Sequence, residues 1–162
     1  MSERGEFTRK FDREILKDST AETEEKEVQR RREAAADTQL ETEFQKILGV
    51  LDYRAGWLKE RFPQMREPGG IEFRGRRFEF PGKAGWPGTP VGWIELRVRL
   101  SDTQQAIVVE SLMQLEGAFG RRHDYVTFPK EKVTPERIRR FVESKLFEFA
   151  GPYQDLTGIR AS

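Results

Sequence analysis

The stretch from Val91 to Glu116, VGWIELRVRLSDTQQAIVVESLMQLE, restricts the fold more than any other part of the chain. Ile94, Leu96, Val98 and Leu100 fall on one side of an extended chain; Trp93, Glu95, Arg97 and Arg99 fall on the other. A period of two puts one face on a core and the other in water or on a partner. Ser101-Asp102-Thr103-Gln104 reads as the turn into a second strand, Gln105 to Glu116. There Ile107, Val109, Met113 and Leu115 share one face, while Val108 and Leu112 interrupt the other. A helix capped by Ser101, with Val108, Leu112, Leu115 and Phe119 on one side, is the alternative. The Ile-Val-Val run favours the strand.

The N-terminal side reads as helix. Leu40, Phe44, Ile47, Leu48, Leu51, Ala55, Leu58 and Phe62 step by three and four, and Pro63 ends the pattern. Gly49 and Gly56 lie on one side of it, marking either close approach of another backbone or simple tolerance. Residues 20–39 are nearly free of large apolar side chains and carry Glu22–Lys26 and Glu27–Arg31 in the favourable order. They predict a solvated helical extension, or a linker that becomes helical beside a partner. Residues 1–19 read as a frayed tail, with a short amphipathic helix on Phe7, Phe11 and Ile15 as the alternative.

After the connector PQMREPGG, the segment IEFRGRRFEF predicts a tight hairpin turning at Gly75-Arg76. It would pair Phe73 with Phe78 and Ile71 with Phe80. Its other face would oppose Glu72 to Glu79 and Arg74 to Arg77, like charge against like. Pro81 to Trp93 begins as a Gly/Pro loop carrying Trp86. Glu116 to His123 reads as a turn and Asp124–Phe128 as a strand. Thr134-Pro135-Glu136 starts a helix with Ile138, Phe141, Val142, Leu146 and Phe149 inward, ended by Gly151-Pro152. Phe147 lies off that face. The expected fold is α+β: a long N-terminal helix, an antiparallel meander of about five strands, and a C-terminal helix packed on one sheet face. The expected divisions are a polar arm over 1–39, one domain over 40–152 and a loose tail over 153–162.

Little in the sequence carries chemistry. Cysteine is absent and there is one histidine, so zinc and thiolate sites are not expected, nor is any other cofactor. No phosphate-binding glycine motif occurs. No secretory leader and no membrane insertion are expected, and the cytoplasm is the expected location. His123, in Arg-Arg-His-Asp-Tyr, reads as a loop histidine between arginines rather than a base paired with Asp124 or Glu110.

The arginines stand out. The net charge is +1, but residues 51–162 carry 19 Lys+Arg against 15 Asp+Glu, mostly as Arg. Arg97 and Arg99 share the polar strand face with Trp93, and Arg74, Arg76 and Arg77 sit at the hairpin. The expected function is a non-enzymatic protein-interaction module: an adaptor, a chaperone-like protein or a complex subunit. It would use an open sheet face and a helical N-terminal arm, and its partner would be another protein or its own copy, met through Trp86, Trp93, Arg97, Arg99, Arg74 and Arg77. RNA or single-stranded DNA on the same Arg-rich face is the alternative. In outline the element order resembles small secretion-chaperone-like domains, a likeness of architecture without a shared motif.

Overall fold

The computed structural model describes the backbone of residues 3–162 and side chains from Ala21 onward. The chain divides into two compact units, Met1–Glu41 and Thr42–Ser162. Helix α1 (Glu3–Arg61) runs through the boundary. No glycine or proline interrupts residues 6–48, so nothing in the sequence breaks the helix where its apolar face ends. Within the first unit, residues 3–20 are helical rather than frayed; the face of Phe7, Phe11 and Ile15 lies outside the described side chains. Further on, Glu27 meets Arg30 at 3.2 Å and Arg31 at 3.5 Å, as the charge spacing predicts.

The second unit holds the C-terminal part of α1, four strands and helix α2 (Pro135–Thr157). Strands β1 (Gly75–Phe80), β2 (Gly92–Leu100), β3 (Ala106–Leu115) and β4 (Phe119–Pro129) form one antiparallel sheet in sequence order. The alternation in Val91–Glu116 is realised: Leu100 pairs with Ile107 and Gly92 with Leu115. Ile94, Leu96, Val98, Ile107, Val109, Met113 and Leu115 are buried. They share one core with Phe44, Ile47, Leu51 and Leu58 of α1, with Phe62 just past its end, and with Ile138, Val142, Leu146 and Phe149 of α2.

The hairpin at Gly75-Arg76 does not form, so the sheet has four strands rather than five. Residues 71–74 lie outside any strand, and the Arg74 carbonyl accepts from the Val98 amide at 3.0 Å. A hairpin would set like charges opposite one another. Instead Arg77 pairs with Glu95 across β1–β2, and the free edge of β1 takes a single bridge between Glu79 and Arg66. Gly75 is required for another reason. Its φ is +144°, and a Cβ there would lie 1.9 Å from the Leu96 carbonyl oxygen. Gly49 and Gly56, by contrast, face open space, so no backbone approaches them.

Two further expectations change. β4 begins at Phe119, so the turn shrinks to Glu116–Ala118, closed by Ala118 N–H donating to the Leu115 carbonyl at 3.0 Å. Helix α2 runs through Gly151-Pro152 and ends at Thr157, with Gly158 in the left-handed conformation. Proline inside a helix costs about 3 kcal/mol. Tyr153 offsets it. Its ring lies 5.0 Å from Phe80, 5.8 Å from Phe62 and 5.9 Å from Phe149, and its hydroxyl donates to the Pro81 carbonyl at 2.7 Å. Burial raises the Tyr153 pKa and keeps that proton in place. Tyr153→Ala is expected to cost about 3–5 kcal/mol, and Tyr153→Phe about 1 kcal/mol, by denaturant unfolding.

Polar ties join α1 to β1. Arg76 donates to Asp52 at 2.8 Å and to Glu67 at 2.7 Å, and Lys59 pairs with Glu67. Burial alone would raise the Glu67 carboxyl, but hydrogen bonds from Lys59 and Arg76 hold it below its usual 4.5. The carboxylate therefore contributes stability in full above pH 4.5, and this is lost as pH falls through the lowered value. Glu67→Gln is expected to be less stable than wild type at neutral pH. The gap should close on acidification below 4.5, measured by thermal melting across pH.

Candidate functional site

The strand register decides what the arginines do. Arg77, Glu95, Leu112 and His123 form one row across the sheet; Arg97, Glu110 and Tyr125 form the next. These rows lie on the outer face, opposite the core side chains. Glu95 and Glu110 are each only 5% exposed. A buried carboxylate must be paired. Glu95 accepts from Arg77 Nη1 at 2.6 Å and from Arg97 Nε at 2.7 Å. Glu110 accepts from Arg99 Nε at 3.2 Å and meets His123 Nε2 at 2.7 Å. The arginine stems and planes also cover apolar surface. Arg77 lies 4.6 Å from the Trp93 ring centre and Arg97 4.3 Å from that of Phe73. Val108 and Leu112, which interrupt the polar alternation of β3, are buried within this layer.

Trp93, Arg77, Arg97 and Arg99 are thus brought together on one face. The other two expected contact residues lie apart. Arg74 stacks 4.6 Å over Phe44 of α1. Trp86 folds back on the connector: its Nε1 donates to the Gln64 carbonyl at 2.7 Å and Arg66 lies 4.2 Å over its ring. His123 belongs to β4, not to a loop, and it takes the Glu110 pairing.

A second surface, on the helices, carries the exposed aromatics. Tyr53 is 72% exposed and Phe147 60%. Trp57, one turn beyond Tyr53, meets Phe147 edge-on at 5.9 Å. With Arg54 and Leu146, Trp57 and Phe147 line a cavity of about 170 Å³. Arg54 lies 5.1 Å from the Tyr53 ring centre and pairs with Glu143. Its Nε is buried without a hydrogen-bond partner. Phe147 is visible in the sequence as an aromatic off the inward face of α2. Tyr53 and Trp57 are visible only as residues off the apolar stripe of α1, and nothing in the sequence joins them to Phe147.

Among the described residues no group of acidic, histidine or cysteine side chains is placed to hold a metal ion, and no helix is long and apolar enough to cross a membrane. Comparison with family models, curated proteins and solved structures finds no match to this chain.

Removing the Glu95 carboxylate takes an acidic partner from Arg97 and from Arg77, which keeps only Glu79 among the pairs described. Glu95→Ala is expected to destabilise by about 1–3 kcal/mol in urea unfolding. Asp102→Ala, whose carboxylate is fully exposed beside Arg99, is expected to leave the midpoint unchanged.

Proposed function

We propose that this chain is a non-enzymatic protein-interaction module, an adaptor or subunit of a complex, and that it meets its partner through Tyr53, Trp57 and Phe147. The observation that carries this reading is the exposure of Phe147 beside a cavity edged by Trp57 and Arg54, with exposed Tyr53 one helical turn from Trp57. Tryptophan, tyrosine and arginine dominate the energetics of protein interfaces, and a clustered exposed aromatic patch marks a contact surface.

The outer sheet face supports nucleic-acid binding less well. Phosphate recognition needs cationic groups that gain by releasing counterions. Here Arg77 and Arg97 are held by Glu95, and Arg99 by Glu110, so the face is close to charge-balanced.

Affinity purification of the tagged chain from its native cells tests the reading, with and without nuclease and at low and high salt. A hot-spot aromatic contributes about 2 kcal/mol or more, so Phe147→Ala and Tyr53→Ala should each weaken partner binding roughly 30-fold. Both side chains are largely exposed, so the fold should survive. Arg99→Ala and Tyr125→Ala on the sheet face should retain the partner. Loss that follows the sheet-face variants would move the contact surface there. Recovery that depends on nucleic acid and collapses with salt would overturn the protein-binding assignment.

A further inference from the structure

Between the β3–β4 side of the inner face and α2 lies an open cavity of about 250 Å³. Ser111, Met113, Arg122, Asp124, Lys145 and Glu148 line it. The register explains the strand residues: Ser111 pairs with Asp124 and Met113 with Arg122, so all four share a face. Lys145 and Glu148 are three apart on α2 and therefore neighbours on its surface. His123 also borders the cavity, but its Nε2 is turned to Glu110 on the other face.

The ionic side chains form a chain of alternating sign. Arg122 Nη1 lies 3.2 Å from Glu148 Oε1, and Lys145 Nζ lies 3.0 Å from Glu148 Oε2 and 2.5 Å from Asp124 Oδ2. Asp124 Oδ1 also accepts the Tyr125 amide at 2.8 Å. The Lys145 side chain is only 12% exposed. Burial alone would lower its pKa, but hydrogen bonds to Asp124 and Glu148 hold it above the usual value. Ser111 is 1% exposed and its hydroxyl has no hydrogen-bond partner. A buried hydroxyl left unmatched is unfavourable by about 1–3 kcal/mol, so this one is set to meet a group in the cavity.

A ligand of one sign would displace a partner and leave the opposite charge unpaired. A ligand carrying both signs can enter the chain without doing so. Its carboxylate would meet Lys145 and Arg122, with the Ser111 hydroxyl donating to it. Its ammonium would meet Asp124 and Glu148, and Met113 offers a small apolar wall. The volume lies below the roughly 300–1,000 Å³ of sites for drug-sized molecules. We propose that this cavity binds a small zwitterion of the free amino acid class.

Calorimetric titration of the full chain with alanine and serine, and with their N-acetyl and amide forms, tests this. The free amino acids should bind, and each blocked form, which carries a single charge, should bind at least ~10 times more weakly. Asp124→Asn, at a largely exposed carboxylate, and Lys145→Met should each weaken binding by about tenfold or more, and Ser111→Ala severalfold. No heat and no amide shift at Ser111 or Asp124 up to ~10 mM would overturn the proposal, since binding that weak carries no recognition. So would blocked forms binding as well as free ones, or a crystal grown with the amino acid showing only ordered water at Ser111.

Discussion

Tyr153 joins the end of α1, the end of β1, the loop after it and α2. Its ring meets Phe62 at the end of the α1 stripe, Phe80 at the end of β1 and Phe149 one turn back on α2. Its hydroxyl holds the loop after β1 through Pro81. Two helices, the sheet and a connection are thereby fixed to one fully buried side chain. Interiors packed this closely pass a displacement at one ring to its neighbours. The position of α2, and with it of Lys145 and Phe147, rests on this cluster.

The outer face obeys a different constraint. Glu95 and Glu110 are buried on the outer sheet face. Each must keep cationic partners, and those partners must lie flat to reach it. The arginines therefore serve as the roof of a thin second layer over Val108, Leu112, Trp93 and Phe73. Such pairs contribute more to a defined arrangement than to net stability, because desolvation offsets much of their attraction. The same pairing removes the positive field that an Arg-rich sequence suggests.

What was legible in the sequence follows from where the physics is local. The alternation of β2 and the stripe from Phe44 to Phe62 announce their elements, because half-buried elements write their periodicity into the residues. β4 does not. Most of it is exposed on both faces, so Gly-Arg-Arg-His carries no alternation and reads as turn. Pro152 reads as a stop, since the gain from burying Tyr153 lies in residues far along the chain. The hairpin at Gly75 fails likewise, because the glycine answers to the Leu96 carbonyl, not to its neighbours in sequence. The site was half legible. Trp93, Arg77, Arg97 and Arg99 do converge, but their partners are set by register. The meeting of Trp57 with Phe147 depends on how two helices pack.

β4 is also the last strand of the sheet, and among the described residues no other strand pairs with its far edge. An 11-residue edge is a template on which other chains can add strands. Here that edge carries Arg121, Arg122, His123 and Asp124 in succession. An apolar strand docking in register would have to strip water from these groups on both faces. The charges that disguise β4 in the sequence are thus a guard against aggregation. They make that edge a poor template for an added apolar strand.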